Sequence, residues 1–182
     1  LSNDIFASQA KYICLAETWI DPTNEALMTL QSRIIYHSSM GKGKGCCILA
    51  QEKACKSEVY GEELFQLVSL WLNDFQLTTI YISHEAKEAN FKDVAKKLDS
   101  IMDRHKPQAL VGDFNFDIKE DNALSSYLKK IQMHQMVTQA THDKGRTLDH
   151  LYVSTELKDK FKSDIQFKYF SDHAAVQIKV DG

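Results

Sequence analysis

Ala109-Leu110-Val111-Gly112-Asp113-Phe114-Asn115 is a short apolar strand running into a polar turn. Gly, Asp and Asn favour turns, so the strand is expected to stop at Gly112. Just upstream the period is different. Phe91, Val94, Ala95, Leu98, Ile101 and Met102 recur at helical spacing, with Lys92, Asp93, Lys96, Lys97 and Asp99 mostly on the opposite face. Asn90 is expected to cap this helix, Asp93 to sit in its first turn, and Pro107 to mark its exit. Downstream, Leu124, Tyr127, Leu128 and Ile131 form the inward face of a second helix.

Away from this centre the chain reads mostly as strands. On the N-terminal side these are the buried run Ile13–Ala16, Ile34–Ser38, Gly45–Gln51 and Ala54–Tyr60. Leu64–Leu72 and Phe75–Ile82 form a hairpin joined by Asn73 and Asp74. On the C-terminal side come Leu148–Val153, Ile165–Tyr169 and Ala174–Val180. Many strands with few helices predict an α+β, four-layer sandwich: two mainly antiparallel or mixed sheets flanked by helices. The 182 residues suit one domain, 1–182, with no internal repeat or linker.

With 43% hydrophobic residues the chain can bury a sizeable core, and no run approaches the ~20 apolar residues of a membrane span. Cys14, Cys46, Cys47 and Cys55 lack zinc-like spacing and read as free thiols of a reducing, intracellular compartment. A formal net charge of −3 argues against a purely electrostatic nucleic-acid binder but not against a nuclease, whose carboxylates add negative charge. Local basic pairs, Lys42 with Lys44 or Lys129 with Lys130, could then contact phosphates, although each also reads as an ordinary solvated surface. Gly41-Lys42-Gly43-Lys44-Gly45 lacks phosphate-loop spacing and reads as a turn.

Four polar clusters fall at strand ends: Glu17, Asp113-Phe114-Asn115, Asp149-His150 and Ser171-Asp172-His173. Singly, each is an ordinary turn or strand exit. Together they supply what phosphodiester hydrolysis requires: carboxylates for a hard cation, a group to activate water, and charge stabilisation. His150 is the exception. As the strand neighbour of Asp149 it should face the other way.

The same residues carry a family resemblance. Glu17 in Ile13-Cys14-Leu15-Ala16-Glu17-Thr18-Trp19, Gly112-Asp113-Phe114-Asn115, Leu148-Asp149-His150 and Ser171-Asp172-His173 resemble, in order, the signatures of the endonuclease/exonuclease/phosphatase (DNase I-like) family. Thr141–Tyr152 resembles endonuclease domains of mobile elements, of LINE-type retrotransposons and Helitron helicases. The resemblance implies a Mg²⁺-dependent hydrolase (Mn²⁺ in its place) that nicks DNA to 3′-hydroxyl and 5′-phosphate ends. It implies Glu17 and Asp172 at the metal, and Asp113 with Asn115 at the attacking water. It also implies His173 on the scissile phosphate, held by Asp149, with Asp172 assisting the metal or the leaving 3′-oxygen. Tyr81 falls where the family places a tyrosine or histidine near the phosphate, although Ile82-Ser83-His84 departs from the usual proline-bearing loop and a core tyrosine reads equally well. The implied setting is nuclear, with DNA as partner, no membrane, and a longer multidomain polypeptide around the domain. Two other readings stand beside it: a phosphoesterase of the same fold acting on a lipid headgroup, an RNA tail or a nucleotide, and an inert remnant serving as a binding module.

One departure concerns the start. The family opens with a central strand ending in a metal-binding asparagine, whereas Leu1–Gln9 reads as the helix that follows it. The domain is therefore expected to lack that first strand and to leave unpaired backbone beside the Ala174–Val180 strand.

Overall fold

The computed structural model describes residues 12–16, 34–38, 45–116, 121–136, 149–159, 165–170 and 173–178. One sheet, sheet A, is built from β1 (Tyr12–Ala16), β2 (Ile34–Ser38), β3 (Cys46–Ala50), β10 (Ile165–Phe170) and β11 (His173–Ile178), in the order β10-β11-β1-β3-β2. Every pairing in it is antiparallel. The other, sheet B, contains β4 (Lys56–Gly61), β5 (Phe65–Trp71), β6 (Gln76–Ile82), β7 (Gln108–Asp113), β8 (His134–Gln135) and β9 (Asp149–Val153), in the order β4-β5-β6-β7-β9-β8. Its one parallel pairing is β6 with β7. A parallel pair needs a crossover, and helix α1 (Phe91–Ile101) supplies it. Helix α2 (Ala123–Lys130) follows β7.

Alternation sorts the side chains of sheet B into two cores. Val68, Leu70, Leu77, Tyr81, Ala109, Val111, Leu151 and Val153 meet Tyr12, Cys14, Cys46, Ile48 and Ala50 of sheet A. The alternate residues Phe65, Leu67, Ile80, Ile82, Leu110 and Tyr152 meet Phe91, Val94, Leu98 and Ile101 of α1 and Leu124, Tyr127 and Leu128 of α2. The expected α+β sandwich of two packed sheets forms; of its expected helical layers, the described residues supply the one over sheet B. No helix among the described residues is long and apolar enough to cross a membrane.

Most expected elements stand within a residue or two, including the Asn73-Asp74 hairpin, closed by a 2.9 Å bond from Leu72 N–H to Phe75 C=O. Three expectations are corrected. Strand β7 does not stop at Gly112 but runs through it to Asp113. Asn90 makes no side-chain cap to α1; its Oδ1 accepts from the Lys87 N–H at 2.7 Å, closing the 3-10 turn Glu88–Asn90 instead. The open edge expected beside β11 is absent, because β11 is paired by β10 on one side and β1 on the other. The Leu1–Gln9 helix expectation lies outside the described residues.

Candidate active site

Register gathers the candidates of sheet B. Tyr81 of β6 lies beside Asp113 of β7, and Asp113 lies opposite Asp149 of β9. Gln66 of β5 extends this row on the other side of Tyr81. Three residues far apart in sequence therefore share one line across three strands, at the end of the sheet where β7 finishes and β9 begins.

The corresponding end of sheet A lies over that row. Tyr12, at the start of β1, packs its ring edge-on to Phe75, just before β6, with centroids 6.1 Å apart. Cys46, opposite the last β1 residue Ala16, has its thiol 3.6 Å from Gln66 C=O and 3.8 Å from Thr79 C=O. Strand β11 is antiparallel to β1, with Ala175 opposite Leu15, so it begins, at His173, on this same rim. The finish of β1 and the starts of β9 and β11 thus share one end of the sandwich with the finish of β7. Glu17, Ser171 and Asp172 fall outside the described residues, and for Asp149 and His173 the backbone positions are what is described. Among the described residues no three His, Cys, Asp or Glu side chains form a metal-binding group. The hard oxygen donors in the row are nevertheless the kind that Mg²⁺ or Mn²⁺ prefers.

The turn after β7 is held at several points. Gly112 has φ +154°, and a Cβ there would lie 1.9 Å from Ile80 C=O, so glycine lets β7 approach β6 just before Asp113. Asn115 takes φ 51°, a left-handed conformation that asparagine tolerates. Its N–H donates to Asp113 Oδ1 at 3.1 Å, and its side-chain Nδ2 donates to Ile82 C=O at the end of β6. Part of Asn115's polar capacity is therefore spent on shaping the turn rather than facing a substrate.

Tyr81 occupies the row, but its ring is buried in the inter-sheet core, 2% exposed. The core reading of this position describes its environment. His150, as expected, is turned away from the inter-sheet side. It is fully buried and stacked on Phe114, with centroids 5.1 Å apart and planes at 17°. Gln66 was not singled out by sequence; its only signal is a polar residue at an inward position of an apolar strand. It is fully buried, its Nε2 donates to Glu62 C=O at 2.5 Å, and its Oε1 has no hydrogen-bond partner among the described residues.

All four cysteines are free, and three of them are buried. Burial pushes the Cys47 thiol up to about 12 and raises Cys14 and Cys46 as well, so none is an activated nucleophile. A cavity of about 450 Å³ lies at the other end of sheet B, where β7 begins at Gln108 and β9 ends before Ser154. Lys130 lines it, so this basic residue sits away from the Asp113 row. Arg104 and Lys106 line it together with Asp103 and Glu156. Its volume would admit a small ligand, but the hydrolytic residue types sit at the opposite rim, which we take as the candidate site.

No family model and no curated protein matches the sequence. Solved structures do match. The endonuclease domain of TRAS1, a telomere-specific non-LTR retrotransposon, is 14% identical with a TM-score of 0.71, over 98% of this chain and 89% of that one. The chain has the DNase I-like fold. An AP endonuclease from Archaeoglobus fulgidus is 12% identical with a TM-score of 0.77, over 100% and 93% of the two chains. The 3′ phosphatase NExo from Neisseria, solved bound to a product DNA hairpin, is 12% identical with a TM-score of 0.74, over 99% and 92%. At these identities it is the DNase I-like architecture that is shared.

Proposed function

We propose that this DNase I-like domain is a divalent-metal-dependent phosphodiesterase that nicks DNA, leaving 3′-hydroxyl and 5′-phosphate ends. The observation that carries the reading is the row of Tyr81, Asp113 and Asp149, on the same rim as the ends of β1 and β11. In this reading Glu17 and Asp172 hold Mg²⁺ or Mn²⁺. The bound cation supplies charge neutralisation for the phosphorane-like state. Asp113 orients the attacking water or takes its proton, with its carboxylate fixed by the Asn115 N–H. His173 donates a hydrogen bond to a non-bridging phosphate oxygen. Asp149 keeps that imidazole charged and oriented. Asp172 also assists departure of the 3′-oxygen.

The structural kinship with TRAS1, an endonuclease domain by its description, supports DNA as the substrate and a mobile-element polypeptide as the setting. A nuclear location follows from that setting. The test is conversion of supercoiled plasmid to open circles with and without Mg²⁺, followed by polymerase extension of the nicks. Extendable nicks that require the cation support the reading. Intact plasmid, with phosphate released from a 3′-phosphorylated oligonucleotide or an inositol phosphate, would replace it with a phosphatase; neither activity would leave a binding module.

A further inference from the structure

We propose that His150 is a positioning residue: its buried imidazole is the platform that fixes the Asp113–Asn115 turn from the opposite face of the sheet. It pairs with Gly112 across β7 and β9, so it sits beneath the point where the turn leaves the strand. Phe114, between the two polar turn residues, is fully buried on the helix side and lies parallel to the imidazole. Tyr152 closes the group, edge-on to Phe114 at 5.7 Å and 88° and to His150 at 5.6 Å and 80°. The Tyr152 hydroxyl and His150 Nδ1 are 2.8 Å apart. Burial raises the Tyr152 phenol, so the hydroxyl keeps its proton and can donate to the ring nitrogen. On the next residue but one, Phe116 packs edge-on against Phe91 of α1, with centroids 5.6 Å apart.

The consequence is geometric. Asp113 and Asn115 flank a side chain whose ring plane is set by its stack on the flat ring at 150. An aliphatic side chain at 150 could fill the volume but would not fix the plane. Holding a reacting group to within a fraction of an ångström matters because a displacement of about 1 Å costs on the order of 100-fold in rate.

The catalytic part of this inference rests on the proposed nuclease reading; the structural part does not. The experiment compares wild type, His150→Ala, and His150→Phe combined with Tyr152→Phe, which keeps a flat ring on Phe114 and removes both polar partners. Nicking is measured well below each melting midpoint, and hydrogen exchange of the Asn115 amide is followed in parallel. His150→Ala is expected to lower kcat about tenfold or more with KM within about twofold, and to remove protection of the Asn115 amide. The flat-ring variant is expected to recover both. The inference is overturned if His150→Ala lowers the melting midpoint but leaves kcat and Asn115 protection unchanged. It is also overturned if the flat-ring variant folds yet recovers neither, which decides the matter should His150→Ala not fold. Should wild type fail to nick while Asn115 exchange behaves as expected, the nuclease reading falls and the positioning role stands.

Discussion

Replacing Gly112 by alanine strikes the point where β7 meets β6 and tests the site's construction with one methyl group. The added Cβ would lie 1.9 Å from Ile80 C=O and close to two further Ile80 backbone atoms, a contact that no side-chain rotation relieves. To reach even 3.0 Å the strands must part by roughly 1 Å. The φ of +154° adds backbone strain of about 1–3 kcal/mol for a residue other than glycine. Overpacking between two buried strands adds about 1–3 kcal/mol. A total near 4 kcal/mol is a large share of the roughly 5–15 kcal/mol that a domain of this size has. Because Asp113 is the next residue, the same shift should lower nicking on the order of 100-fold in whatever fraction stays folded. Urea denaturation and plasmid nicking of Gly112→Ala against wild type provide the check. A variant within about 0.5 kcal/mol of wild type, nicking at the wild-type rate, would refute the close-approach reasoning.

Other outcomes follow from the same structure. Thr79 is fully buried, and among the described residues its hydroxyl meets at most the weakly bonding Cys14 thiol, so Thr79→Val should leave stability unchanged or raise it by up to about 1 kcal/mol in urea. In native protein one thiol, Cys55, should react rapidly with a disulfide reagent, and all four should react after unfolding. Burial raises the Cys47 thiol from 9.0 to about 12, so its contribution is intact below pH 9 and is lost as pH climbs through the folded value. Denaturation midpoints should therefore fall between pH 9 and 11, and less steeply in Cys47→Ala. If the carboxylates at the rim crowd one another, Mg²⁺ or Mn²⁺ should raise the melting temperature of wild type but not of Glu17→Gln.

The parts legible in the sequence were those set by local periodicity. Phe91, Val94, Leu98 and Ile101 announce their helix because their spacing matches its turn, and all four are buried against sheet B. The Asn73-Asp74 hairpin is equally local. Gly112 misled for a physical reason: glycine and aspartate usually break a strand, but here glycine lets the strand continue past a close neighbour. Asn90 misled because a 3-10 turn ahead of α1 competes for its side chain. The expected bare edge on β11 failed because strand order is non-local, and β1 itself occupies that position. The candidate site was legible only as residue types expected at strand ends, and of these Asp113 and Asp149 fall at the ends of β7 and β9. Its assembly into one row was not, since the register of Tyr81, Asp113 and Asp149 is set by pairings between distant segments. The contribution of His150 was hidden for the same reason, as its partner Phe114 is close only across β7 and β9.

The central claim is that the Asp113 row hydrolyses a phosphodiester, and the most direct measurement is Mg²⁺-dependent nicking of supercoiled plasmid by wild type and by Asp113→Asn, side by side. The substitution keeps the acceptor for the Asn115 N–H while removing the charge, so the melting curve should hold and the nicking rate should fall by about 100-fold or more. Equal nicking by the two proteins at matched stability would contradict the account.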